Sequence, residues 1–240
     1  MAISGVLMVG IIVGSTNAIN QQRYNDSIQN FAEFLRGIYT DVSNPKGLSP
    51  GANGGRSEKA IYGKLVTFGE KTDNPDQKIF TYNVVGNISD NRISGDVLKT
   101  LSELKADVIQ KDPISGITTL YGGQGSYALN WDAKVQNANK DPFVGALLIV
   151  RSPSSGTVYT YTLSGTTVEV NRTVKEKGAS ALSPLLNSFS NSATLDFCIA
   201  PEGITLYNGR RQDVRIAPNA HNSSSIELID LDSSENICAK

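Results

Sequence analysis

The chain holds one histidine, His221, and two cysteines, Cys198 and Cys238, among 240 residues. That scarcity removes most of the material for zinc sites and for Cys–His or Ser–His–Asp catalysis, which need several such side chains held together. His221 stands in the polar loop Pro218-Asn-Ala-His-Asn-Ser-Ser, with no apolar frame and no partner nearby in sequence, and reads as a solvated residue. An excess of one charge is missing too. A formal net charge of -1 gives no ground for a general nucleic-acid or acidic-surface binder, so any charged partner must be read from local clusters. The glycines of Tyr121-Gly-Gly-Gln-Gly-Ser-Tyr127 lack the Gly-Lys-Ser/Thr ending that holds a phosphate and its metal, and they read as a flexible or tight-turn loop. The acidic stretches Asp73-Asn-Pro-Asp76 and Asp230-Leu-Asp-Ser-Ser-Glu235 have oxygen ligands but no complete EF-hand loop, and read as exposed acidic loops. No catalytic residue, cofactor or metal is expected, and the chain reads as a protein without enzymatic activity.

The absence that says most is local: the first 22 residues carry no charge. Their apolar run holds Ile3, Val6, Leu7, Val9, Ile11, Ile12 and Val13 and leads, without proline or a clear cap, into a second pattern. There Tyr24, Ile28, Phe31, Leu35, Ile38 and Val42 recur at spacings of four and three, which places them on one face of an α-helix, and Phe34 and Tyr39 widen that face beyond a narrow coiled-coil seam. One helix over 1–42 is therefore expected. At 1.5 Å per residue it would reach about 60 Å, twice a bilayer's hydrocarbon core, leaving its first half in lipid and its second in water. The apolar run alone spans only about 21 Å and lacks the basic flank of a cleavable signal peptide, so further sequence is expected upstream.

Ser43 to Gly55 stacks turn formers and two prolines, which ends the helix and opens a head over 43–240. Residues 60–68 and 78–85 are rich in β-branched and aromatic side chains and read as a hairpin around a polar loop. A short helix is expected up to about Gln110 on the stripe Val97, Leu98, Leu101, Leu104 and Val108, and another over 181–187. Residues 146–150, 157–163 and 166–174 read as a meander, with Ser164-Gly165 as its two-residue turn, and further strands are expected at 196–200, 213–216 and 225–229. Helices in front and strands behind, without βαβ alternation, give an α+β fold: a long N-terminal helix, half membrane-type and half amphipathic, packed on a head of antiparallel sheet.

Two cysteines near the C-terminus fit one disulfide that pins the tail in an oxidising, exported location; the alternative is two separate buried thiols. Arg210, Arg211 and Arg215 fall close together, and a strand would put Arg211, Asp213 and Arg215 on one face, either facing phosphates or forming a solvated, locally neutralised edge. Tyr121, Tyr127 and Trp131 offer aromatic surface for stacking on a glycan, or anchors for the core and loops.

The segment Ala2-Ile-Ser-Gly-Val-Leu-Met-Val-Gly-Ile-Ile-Val resembles the interior of the N-terminal helix of type IV pilins and type II secretion pseudopilins. Phe31-Ala-Glu-Phe-Leu-Arg-Gly-Ile-Tyr39 is similar to the pattern of their tip-associated minor members, and residues 60–68 suit the first strand of their head. In that family the mature chain opens with Phe, has Glu at its fifth position and follows a basic leader ending in Gly. All three would lie upstream of Met1, so the resemblance implies a start inside the family's first helix. It further implies a structural subunit of a pilus or of a secretion or DNA-uptake filament. Its partners would be other pilin subunits, the inner membrane before assembly, and DNA or a host surface ligand. Its head would be extracellular and membrane-anchored until assembly. Some minor pilins bind DNA through a C-terminal Gly-Arg-x-Arg segment; Gly209-Arg-Arg-Gln departs from it at the last position. The competing reading is a membrane-tethered extracellular binding module, for glycans or as a surface adhesin.

Overall fold

The computed structural model describes residues 2–44, 59–68, 79–87, 120–137, 144–151, 156–164, 189–191, 194–200 and 211–231, with side chains in the first helix described from Ser15 onward. One helix packs on two antiparallel sheets, an α+β fold. The helix, α1, runs Ala2–Ser43. The strands are β1 (Lys59–Phe68), β2 (Ile79–Asn87), β3 (Leu120–Tyr127), β4 (Lys134–Asn137), β5 (Val144–Arg151), β6 (Val158–Ser164), β7 (Phe189–Asn191), β8 (Leu195–Ala200), β9 (Arg211–Ile216) and β10 (Ile226–Leu231). The larger sheet has the order β3-β2-β1-β5-β6-β7 and the smaller β10-β9-β8-β4.

The core lies where α1 meets both sheets. Tyr24, Ile28, Phe31, Leu35, Ile38 and Val42 are all buried, in one cluster with Val66, Phe68, Leu147 and Ile149 of the larger sheet and Phe197, Val214 and Ile216 of the smaller. Strand alternation supplies those sheet residues. Register pairs Val66 with Leu147 on the helix side and Leu65 with Leu148 on the far side, and the far-side residues are buried as well. A strand covered on both faces needs a near-continuous apolar run, which Ala146-Leu-Leu-Ile-Val150 provides.

Gly63 sits where the β1–β2 register shifts, pressed on β5. A Cβ there would come within 2.6 Å of Val150 Cγ1 and 2.9 Å of the Val150 Cα, a backbone atom that cannot swing away. Gly63→Ala should therefore spread β1 from β5 and cost about 1–3 kcal/mol, read as a lower midpoint in urea. Gly37 is the opposite case: it lies exposed inside α1 and a Cβ would meet nothing within 4 Å. Gly37→Ala should add about 1 kcal/mol by removing backbone freedom from the unfolded chain, and a melting temperature that does not rise would contradict this.

Three sequence expectations are corrected. The glycine-rich stretch 121–127 is no loop but most of β3, hydrogen-bonded to β2 across an irregular register. β3 is an edge strand that pairs with β2 at Leu120, Tyr121 and Gly125 to Tyr127, and Tyr127 anchors its end on the core cluster, so pairing and this anchor hold the strand. The far neighbour of β6 is β7, not a third meander strand; residues 166–174, like the helices expected up to Gln110 and over 181–187, lie outside the described residues. Nor is the arginine-bearing strand β9 a solvated edge: it lies between β8 and β10.

Candidate functional site

α1 is fastened to the head along its buried length by polar bonds as well as packing. Near its start Ser27, itself buried, donates its hydroxyl to the Asn130 carbonyl at 2.8 Å, and the Tyr24 hydroxyl lies 3.3 Å from the Gln212 carbonyl. Toward its end the Tyr39 hydroxyl meets Thr160 Oγ1 at 2.7 Å, and Thr160 donates onward to the Ala220 carbonyl at 2.9 Å, so the single arrangement that fits both bonds has Tyr39 as donor. Arg36 donates to the Ile226 carbonyl at 3.0 Å and pairs with Glu33, while Lys64 on β1 pairs with Asp41. Burial without a charged partner pushes the Tyr39 phenol up to about 12, which keeps it a neutral donor.

Before Tyr24 the situation changes. No side chain from Ser15 to Arg23 is buried, and Ile19 is 48% exposed. Ile3, Val6, Leu7, Val9, Ile11, Ile12 and Val13, expected as the membrane or filament face, have side chains outside the described residues. Among the described residues no helix is long and apolar enough to cross a membrane. Beside this neck stands Trp131, also 48% exposed, in the 3-10 turn Asn130–Asp132. Its backbone is left-handed (φ 61°, ψ 37°), a conformation that L side chains adopt at a cost, and the buried Leu129 and Ala133 on either side hold it there. The Arg23 guanidinium lies over its ring, 4.5 Å from the centroid.

Two of the three aromatics expected as a stacking surface are described, and their surroundings differ. Tyr127 stacks on Phe34 at 4.2 Å as part of the packing under β3, and burial pushes its phenol up to about 12. Tyr121 has its side chain outside the described residues, and Trp131 faces solvent. The arginine cluster divides likewise. Arg210 and the side chain of Arg211 lie outside the described residues, and Arg215 makes a two-pronged pair with Asp196, at 2.5 Å and 2.9 Å. A guanidinium clamped in that way has fewer donors to offer a phosphate. His221 is exposed, with Nδ1 3.2 Å from the Asn219 carbonyl, in the loop that joins β9 to β10.

On the outer face of the smaller sheet the structure assembles a group not foreseen as a unit. Asp213 on β9 is directly opposite Cys198 on β8, and Asp196 is opposite Arg215 one step along the same face. Both Asp213 and Cys198 are buried, 2% and 1% exposed, and Asp213 Oδ2 lies 3.8 Å from Cys198 Sγ. Cys198 is disulfide-bonded, and the only other cysteine of the chain, Cys238, lies outside the described residues. A disulfide sulfur has no proton to give, so in this contact the donor is the protonated carboxyl. That form is the one its surroundings favour: burial, and then the charge of Asp196, push the Asp213 carboxyl up to about 7 against the pull of Arg215. The signal for it in sequence is a lone Asp between arginines, which reads as a surface charge until its opposite neighbour is known. Among the described residues no cluster of His, Cys, Asp and Glu could hold a metal ion. No protein-family model, no curated protein and no solved structure matches this chain.

Proposed function

We propose that the chain is a minor pilin- or pseudopilin-like structural subunit, assembling through its N-terminal helix into a type IV pilus or a related secretion or DNA-uptake filament, and performing no catalysis. The observation that carries this reading is where α1 enters the head. Its stripe from Tyr24 to Val42 is spent on the head's own core, while Ser15 to Arg23 have no buried side chain and the uncharged apolar run lies beyond them. An apolar helical segment needs lipid or other protein surface over it, and trading lipid for sister helices offsets exposure at about 25 cal/mol per Å² buried. The partners are sister subunits in the fibre and the inner membrane before assembly, with the head outside the cell. The pairing of Arg215 with Asp196 argues for structure over DNA contact in the arginine cluster.

A second reading, a membrane-tethered binding module for glycans or a host surface, is favoured by Trp131 alone, an exposed indole held rigidly in a left-handed turn. One fractionation separates the two. Fibres sheared from cells that make this chain should contain it after a detergent wash, and the double substitution Ile11→Asp, Val13→Asp should exclude it from them with the head still folded. Recovery only in the detergent-soluble membrane fraction would remove the filament reading. Trp131→Ala should leave incorporation unchanged.

A further inference from the structure

We propose that Asp213 is the proton acceptor that activates Cys198 when the chain's disulfide is made. The inference rests on the smaller sheet alone and is independent of the filament reading. Direct cross-strand partners in an antiparallel pair hold their side chains on one face within reach of each other, so β8 and β9 bring this carboxyl to this sulfur by register. The 3.8 Å separation of Oδ2 and Sγ is hydrogen-bonding range for sulfur.

Burial makes such a partner necessary. Only the thiolate attacks a disulfide, and a thiol shut away from water is harder to ionise than the ordinary value of about 8.5. In the oxidised fold Cys198 is 1% exposed, and a reduced sulfur that keeps this place on β8 leaves bulk water poor access to take its proton. An ordinary carboxylate near 4 would be a weak base for a thiol; one lifted to about 7 is far better matched. The reaction balances with an organic disulfide as oxidant. Cys238 first carries a mixed disulfide, Cys238–S–S–R. The Cys198 S–H gives its proton to the Asp213 carboxylate, the Cys198 thiolate attacks the Cys238 sulfur, the new S–S bond forms, and R–S⁻ leaves. Asp213 ends protonated, the form its burial favours. Read backward, the same carboxyl returns the proton to Cys198 as it departs during reduction.

The charged groups that share this face among the described residues set the working pH. Asp196 on β8 holds the proton on Asp213, Arg215 on β9 draws it off, Glu227 on β10 stands opposite Arg215, and Lys134 on β4 lies on the Cys198 side.

The test uses the full chain, reduced under native conditions, freed of reductant and given oxidised glutathione, with closure followed by mass as loss of the glutathione adduct. In the wild type the closure rate should rise with a midpoint near pH 7. Asp213→Asn should close about tenfold or more slowly at pH 7, and its rate should rise only above the ordinary thiol value of about 8.5. Asp196→Asn keeps the Cys198–Asp213 pair but removes the like charge, so the midpoint should move to lower pH; this variant carries the test if Asp213→Asn does not fold. Equal rates and equal pH profiles for Asp213→Asn and wild type, or an unmoved midpoint in Asp196→Asn, would overturn the proposal.

Discussion

Phe31→Ala is expected to lower the unfolding free energy by about 3–5 kcal/mol, the largest effect of any single truncation proposed for this chain. Phe31 is fully buried, and its ring is the middle link of an aromatic chain that joins the two sheets through the helix. It meets Phe197 of β8 edge-on at 5.8 Å and Phe34 at 6.3 Å; Phe34 stacks on Tyr127 of β3, and Phe197 leans on Phe68 of β1 at 5.0 Å. Removing the ring therefore forfeits its transfer energy and leaves a cavity bounded by two sheets, neither of which can collapse toward the other while α1 is held by Ser27, Tyr39 and Arg36. Phe34→Ala, at a half-buried position on the same chain, should cost clearly less. Guanidinium unfolding followed by far-ultraviolet circular dichroism measures both, and a loss below about 1 kcal/mol for Phe31→Ala would mean that the joint lies elsewhere.

The second large effect is on pH dependence. The Asp213 carboxyl moves from 3.8 in the ordinary state to about 7 in the fold, so between those values the folded chain binds a proton that the unfolded chain has released. The contribution of this group is accordingly fully present below about pH 4, declines as pH rises, and is gone above about pH 7. At 1.36 kcal/mol per pH unit, the decline is of the order of 2–4 kcal/mol. Asp213→Asn, whose side chain is neutral at every pH, should remove that decline while every other titrating group stays in place, so the difference between the two stability profiles isolates Asp213. Oxidised protein should be used, with melting temperatures taken from pH 4 to 8. Two parallel profiles would refute the assignment of a protonated carboxyl beside Cys198.

The two effects differ in how visible they were beforehand. The Tyr24-to-Val42 stripe is legible because a helix repeats every 3.6 residues whatever it packs on, and the residues that its spacing selects are those buried in the core. Likewise the apolar run 146–150 and the hairpin of β1 with β2 are stated by composition and local turn chemistry. The glycine-rich strand misleads because glycine says nothing of pairing; what makes 121–127 a strand is the neighbouring β2. Asp213 misleads for a related reason. Along its strand it stands between Arg211 and Arg215, which suggests a solvated face, but its neighbour in space is Cys198 across the β8–β9 ladder.

What the sequence determined by itself is therefore the local periodic structure: which face of the helix is apolar, which segments favour extended backbone, and that the first charge of the chain arrives only at Arg23. Only the tertiary structure decided that the helix is shared between two sheets, that Arg23 lies over Trp131, that Arg215 is paired with Asp196, and that a carboxyl is shut in beside a disulfide sulfur. The division has a physical cause. Periodicity is set by backbone geometry within a few residues, whereas burial and the proton affinity that follows from it depend on which distant strands pair, and strand register is a long-range property.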